Sequence, residues 1–201
     1  MYSDVTGIIL AGGKSSRMGV NKSLLKIGNK TVIEIITDLM ESIFEKNILS
    51  TNSPAEFNFL KLPMVEDVYE NCGPLGGIHS VLIQSKTERN FIISCDVPLM
   101  KREMIKYFVN YKSGKKIILS FASGYLQPLV GIYNKSLLPE IEKILTVSIK
   151  ENYIRSHKSL HKLIENSETE IIDPTSLPFY RDELFFNLNN NEDYAKIKLL
   201  L

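Results

Sequence analysis

Residues 6–19 read TGIILAGGKSSRMG, and Lys22 follows three residues later. Residues 6–10 form a short apolar run that stops at Gly12-Gly13. Such a run, ended by paired glycines, reads as a buried strand opening into a loop. Adjacent glycines let a backbone approach a ligand closely, and consecutive backbone N–H groups in such a turn can form an anion nest. Arg17 adds a planar fork of donors suited to phosphate oxygens, and Lys22 adds a compact positive charge. Together these features suit a triphosphate. The spacing is neither GxGxxG nor GxxxxGK[ST], so it supports neither a dinucleotide fingerprint nor a P-loop. A glycine-rich turn with two solvated basic residues is the bland alternative.

Working outward, short β-rich runs alternate with helix-length segments. Residues 31–44 carry apolar side chains at Val32, Ile35, Ile36, Leu39, Met40 and Ile43, a helical spacing. Residues 47–49, 63–66 and 91–94 read as strands, as do 116–121, 127–133 and 170–172. Residues 74–84 read as a helix opened by a proline in its first turn. Further helices are expected over 101–111, 135–145 and 159–165. Residues 184–188 close the pattern before a helix that starts at Glu192, capped by Asn190 or Asn191. This alternation predicts an α/β protein with a mostly parallel sheet covered on both faces. Ligands of such sheets sit beyond the carboxyl ends of the strands. Gly12-Gly13, Asp67 and Asp96 each fall just past a predicted strand end, so three chemical features converge on one edge.

A chain of 201 residues with 44% hydrophobic content can bury a full core as one domain over 1–201. Lys and Arg total 24 against 23 Asp and Glu, and a net charge of +1 gives no global field for capturing nucleic acid or an anionic membrane. Two cysteines, Cys72 and Cys95, are too few for a disulfide framework and read as reduced, mostly buried thiols. The N-terminus lacks a basic region, and no stretch approaches the roughly 20 apolar residues of a spanning helix. The expectation is a soluble cytoplasmic protein.

Three more segments carry candidate chemistry. Val65-Glu66-Asp67 precedes Asn71-Cys72-Gly73-Pro74-Leu75-Gly76-Gly77-Ile78. Asp67 could accept hydrogen bonds from a base or ribose, or hold a metal-bound water, while Gly73, Gly76 and Gly77 remove side chains where a flat base could lie. An exposed Asp and an ordinary turn into a helix is the competing reading. Ser94-Cys95-Asp96-Val97-Pro98 places a carboxylate just past a strand, a natural Mg²⁺ ligand but also a common turn element. Asn187 and Asn189 fall on one side of an extended segment; they suit a polar heterocycle or phosphate, or simply turn chemistry before the last helix. His79 reads as a surface or packing residue. His157 and His161 have a spacing that can bind a metal but lack a paired carboxylate, and read as a solvated helix start. KSGKK (residues 112–116) reads as a solvated loop.

In this order, the segments LAGGKSSRMG…K, VED, GPLGGI and CDVP, with QPLVGIY (residues 127–133) and FFNLNNNEDY (residues 185–194), resemble the molybdenum cofactor guanylyltransferase family. The first segment alone indicates only the wider nucleotidyltransferase superfamily; GPLGGI with the FNLN ending narrows it. The resemblance implies a single-domain, three-layer α/β nucleotidyltransferase (Rossmann-like) fold with a mostly parallel mixed sheet. It implies transfer of GMP from GTP to the terminal phosphate of molybdopterin, with Mg²⁺ as cofactor held by Asp96. Leu10, Ala11, Gly12 and Lys22 correspond to GTP-binding positions, with Asp67 at the nucleotide and Asp96 at both nucleotide and metal; Gly13 and Gly73 are nucleotide-binding candidates from the residue reading above. Arg17, Lys22 and Asp96 are the implied catalytic residues, and Asn187 and Asn189 candidates for the pterin side. Partners implied are GTP and molybdopterin, with molybdenum-insertion and cofactor-delivery proteins, and neither nucleic acid nor membrane. One departure is visible: the family often has asparagine just after its second strand and again two residues later, where this chain has Ser50 and Asn52. Asn52 can supply the amide instead. Rival readings are a cytidylyltransferase for the same pterin, a sugar-phosphate nucleotidyltransferase, and a non-catalytic nucleotide-binding protein.

Overall fold

The computed structural model describes residues 1–12, 21–150 and 158–200. Gly13, Arg17 and His157 lie outside the described residues. The first strand, β1 (Val5–Leu10), is fully buried because neighbours flank it on both edges and helices cover both faces. Its side chains alternate between two cores. Val5 and Ile9 join a cluster with Ile33, Ile36 and Met40, whereas Ile8 and Leu10 join another with Leu75, Ile78 and Leu82. That period-two division is what a strand sandwiched between helical layers requires.

The remaining elements follow in order. A small hairpin, β2 (Lys26–Ile27) with β3 (Lys30–Thr31), leads into α1 (Val32–Glu41). Thr31 caps α1 through a reciprocal pair with Glu34, so the helix begins one residue later than the apolar spacing suggests and ends three residues sooner. Then come β4 (Asn47–Ser50), α2 (Pro54–Phe57), β5 (Met64–Val65) and α3 (Pro74–Gln84). These are followed by β6 (Arg89–Ser94), α4 (Arg102–Asn110), β7 (Ile117–Ala122) and β8 (Tyr125–Asn134). The described chain continues with α5 (Leu138–Lys150), α6 (Lys158–Asn166), β9 (Thr169–Ile172) and α7 (Asn191–Leu200).

The main sheet has seven strands in the order β5-β4-β1-β6-β8-β7-β9. All neighbours pair parallel except β8, which runs antiparallel to both β6 and β7. The three-layer α/β class and mostly parallel mixed sheet expected from the sequence are therefore found. Helices α1 and α4 cover one face, and α3, α5 and α6 the other. The predicted closing run over residues 184–188 does not join the sheet: a 3-10 turn, Asp182–Phe185, forms there instead. Leu184 and Phe185 are buried in the α1/α4 core, so packing rather than strand pairing satisfies their apolar character. Neither β2–β3 nor α2 is visible from periodicity, because two- and four-residue elements are too short to show one. Among the described residues no helix is long and apolar enough to cross a membrane.

Where β7 and β8 meet, Gly131 lies opposite Leu119. A Cβ at Gly131 would stand 2.3 Å from the Ile118 carbonyl oxygen. That obstacle is backbone in a paired strand, which cannot swing aside. Gly131→Ala is expected to cost about 1–3 kcal/mol, lowering the melting temperature by roughly 2–4 °C for each kcal/mol. Thermal denaturation of both proteins measures this, and an unchanged melting temperature would show that the β7–β8 pair has slack.

Candidate active site

The carboxyl ends of β1, β4, β5 and β6 form one level edge, fixed by hydrogen bonds just beyond the strands. Ala11 N–H donates to the Ser50 carbonyl at 2.9 Å, Thr51 N–H to the Val65 carbonyl at 3.0 Å, and Cys95 N–H to the Leu10 carbonyl at 3.0 Å. The segments that follow these ends carry the candidate residues. Leu10 turns its side chain into the core and leaves only backbone to the edge, Ala11 is half-buried, and Gly12 is exposed with open space where a Cβ would stand.

Asp96 keeps unmet bonding capacity at this edge. Burial pushes its pKa up, while the Ser94 hydroxyl, its own backbone N–H and the nearby Lys22 pull it down. Its Oδ1 is buried with no hydrogen-bond partner among the described residues. A buried carboxylate oxygen left without a donor is costly, and a hard cation arriving with substrate phosphates would satisfy it. Among the described residues no cluster of three or more His, Cys, Asp or Glu side chains could hold a metal. A cation here would thus rely on Asp96 and phosphate oxygens, the ligand set Mg²⁺ favours.

Lys22 opens a 3-10 turn, Lys22–Leu24, capped by the Asn21 side chain. Its ammonium donates to the Asn189 carbonyl at 2.5 Å, joining residues far apart in sequence. The same C-terminal segment is tied to Asp96, whose carbonyl accepts from Leu188 N–H at 2.8 Å. The structure thus brings Lys22, Asp96 and Asn189 together. Asn187 and Asn189 lie in a segment outside any strand or helix. The Asn187 amide bonds back to the Phe185 carbonyl at 3.2 Å, because the chain turns there.

Asp67 and Asn52 form a two-point pair: Asn52 Nδ2 donates to Asp67 Oδ2 at 2.9 Å, and Asp67 N–H to Asn52 Oδ1 at 2.8 Å. Burial raises the Asp67 pKa, with the Asn52 amide opposing it and Glu70 adding to it. Asn52 therefore fixes Asp67, and spends one amide hydrogen and one acceptor site doing so. Ser50 is buried beneath α3, its Oγ 2.9 Å from where a Cβ of Gly77 would stand. Sequence reasoning assigned Gly76 and Gly77 to room for a base; the structure assigns them to packing. A Cβ at Gly76 would meet the Tyr69 carbonyl at 2.9 Å, so both glycines let α3 lie close on the Tyr69 loop and β4. Gly73, with φ of 63° and nothing near its absent Cβ, is the one that leaves open space.

Other candidates separate from this edge. His79 is buried, edge-on to Tyr69 at 4.9 Å between ring centroids and 3.5 Å from Glu142, a packing residue as expected. His161 is exposed on α6. Cys72 and Cys95 are free thiols whose pKa values burial pushes up, which leaves them poor nucleophiles. A cavity of about 550 Å³, lined by Phe121, Ser123, Asp173, Tyr180 and Asp182 among others, opens where β7 and β9 end. Both strands run parallel to β6, so the cavity lies on the Asp96 edge of the sheet. Sequence patterns did not signal it, since it joins a hairpin tip to a loop some fifty residues away.

The raised pKa of Asp96 has a signed consequence. A carboxyl whose folded pKa exceeds its unfolded value penalises the fold when ionised, and the penalty fades as pH falls through the folded pKa. Asp96→Asn is therefore expected to melt at or above the wild-type temperature at pH 7, the gap closing on acidification. Calorimetric scans across pH check this; a lower melting temperature for the variant at pH 7 would mean the charge is compensated within the fold.

The comparisons with known proteins agree with this geometry. Residues 7–163 match the MobA-like NTP transferase domain. A Carboxydothermus hydrogenoformans protein named "Probable molybdenum cofactor guanylyltransferase" is 34% identical over 196 residues, covering 96% of this chain and 95% of that protein. A Clostridium perfringens protein of the same name is 33% identical, covering 94% and 93%. Among solved structures, an Aquifex aeolicus protein superposes with a TM-score of 0.74 at 30% identity, over 94% of both chains. The Archaeoglobus fulgidus molybdopterin-guanine dinucleotide biosynthesis protein A superposes with a TM-score of 0.79 over 97% of both, though at 19% identity it speaks to fold alone. By model, by sequence and by fold, this chain belongs to the MobA-like NTP transferases, the nucleotidyltransferase family that includes the molybdenum cofactor guanylyltransferases.

Proposed function

We propose that the chain transfers GMP from GTP to the terminal phosphate of molybdopterin, releasing pyrophosphate and forming the guanine dinucleotide cofactor. The observation that carries this reading is the buried Oδ1 of Asp96, unpartnered among the described residues, at the same edge as Lys22. A protein that only bound a nucleotide would gain nothing from that carboxylate. Asp96 would hold Mg²⁺, which supplies charge neutralisation at the phosphates when bound.

The acceptor phosphate is already ionised, so no protein nucleophile is required. Its oxygen bonds to the α-phosphorus of GTP in line as the bond to pyrophosphate breaks. The protein's part is positioning and electrostatics. Arg17 and the Gly12-Gly13 amides stabilise the departing pyrophosphate, and Lys22 anchors the nucleotide. Asp67, steadied by Asn52, accepts from the nucleoside. Asn187, Asn189 and the cavity beyond β7 and β9 lie on the side left for the pterin. The setting is the cytoplasm, with molybdenum-insertion and cofactor-delivery proteins upstream and downstream.

Two outcomes test the reading. GTP is expected to be preferred over CTP, because Gly73 leaves open space where the chain enters α3, and a site bonded to one base edge leaves groups unpaired with another, at about 1–3 kcal/mol each. Parallel turnover with GTP, CTP and ATP on molybdopterin measures this; equal turnover with CTP would remove the guanylyl assignment. Asp96→Asn is expected to lower turnover by at least about a hundredfold, equivalent to ~3 kcal/mol. Pyrophosphate release across a Mg²⁺ titration reads the loss, and near-normal rates would move the metal to another ligand, with Asp67 next.

A further inference from the structure

Lys22 makes no ion pair among the described residues. What holds its ammonium is the Asn189 carbonyl, and Asn189 lies outside any strand or helix. Something must therefore fix that carbonyl. The next peptide unit supplies the answer. The Asn189 C=O and the Asn190 N–H belong to one peptide plane; its oxygen accepts from Lys22, and its N–H donates to Asp193 Oδ2 at 3.0 Å. The same Asp193 oxygen accepts from Asn189 N–H at 2.8 Å. Asp193 N–H in turn donates to Asn190 Oδ1 at 2.9 Å, which completes a reciprocal cap at the start of α7. One peptide thus stands between an ammonium and a carboxylate, with its dipole aligned to both. Charge-assisted bonds at each end strengthen one another through such a unit.

The segment is anchored from the other side too. Leu188 is fully buried with Ile27, Val32, Leu99 and Ile197, and its N–H holds the Asp96 carbonyl. The two peptides beyond Leu188 are the ones that Asp193 orients, through the Asn189 and Asn190 N–H groups. We propose that Asp193 is a positioning residue: through the 189–190 peptide it sets the Lys22 ammonium at the nucleotide site beside Asp96. This rests on the reading of Lys22 as a nucleotide anchor. It gives the cap of the last helix a second role, and explains why a lysine from the first loop is seated by the far end of the chain.

The test is a double-mutant cycle read by GTP binding in the presence of Mg²⁺, using isothermal titration of the full chain without acceptor. Lys22→Ala alone reports on the anchor reading, and is expected to weaken GTP binding about tenfold, ~1.4 kcal/mol. Asp193→Ala is expected to weaken it several-fold, with Asp193→Glu restoring most of the loss. In the Lys22→Ala background, Asp193→Ala should add less than about twofold, because coupled residues are not additive. A cap with only a structural role would lower the melting temperature in both backgrounds and leave the GTP affinity of Asp193→Ala at the wild-type value; that result overturns the proposal, as does full additivity. If Asp193→Ala does not fold, Asp193→Asn, which keeps one acceptor oxygen but not the charge, takes its place in the same cycle. Should Lys22→Ala bind GTP as wild type does, the anchor reading falls, and the Asp193 proposal with it. Loss in Lys22→Ala without loss in Asp193→Ala removes the Asp193 proposal alone.

Discussion

Parallel pairing on both sides of β1 sets the level at which every chemical group leaves the sheet. Leu10 pairs with Ser50 on one side and Ser94 on the other. The three chains therefore emerge in register, and the first peptides beyond them bond across: Ala11 to Ser50, Cys95 to Leu10. Shifting one strand by a single residue would send its core side chains to the opposite face. The apolar alternation that forbids such a slip also keeps Asp96 at the same edge as the start of the glycine loop.

That edge carries an energetic cost which the cores must cover. Asp96 keeps a buried oxygen without a donor among the described residues, and Asp67 sits where burial opposes its charge. The two differ in how the fold treats them. Asp67 is held at two points by Asn52, so its geometry is complete before any ligand arrives. Asp96 is held through its backbone, by Leu188, while one oxygen of its carboxylate is left without a donor among the described residues. A group kept short of partners inside an otherwise well-bonded edge is suited to a partner that comes with the substrate.

Glycine serves two distinct ends around α3. Gly76 and Gly77 permit close contact between the helix and what lies beneath it, and Gly73 permits a backbone turn with open space beyond. In sequence the three look alike, since each is only an absent side chain. What fills the space of the missing Cβ separates them, and that is a property of neighbours distant in the chain.

The sequence by itself determined the class of fold and the sheet edge on which the candidate residues gather. Alternating β-rich and helical runs, with glycines and carboxylates just past strand ends, sufficed to predict a parallel-rich sheet with its chemistry on one edge, because periodicity and strand-end loops are local properties. The motifs in order also placed the chain within its family. Short elements such as β2, β3 and α2 lay below the length at which a period can be seen, and the closing run over residues 184–188 showed only its apolar character, because buried apolar residues leave the same trace whether they pair or merely pack. The partnerships of side chains were decided only by tertiary structure. That Asn52 serves Asp67, that Ser50 lies under α3, and that Lys22 rests on Asn189 all depend on contacts between residues far apart in the chain. Such contacts are fixed by how the layers close over the sheet, and no local pattern of residues encodes them.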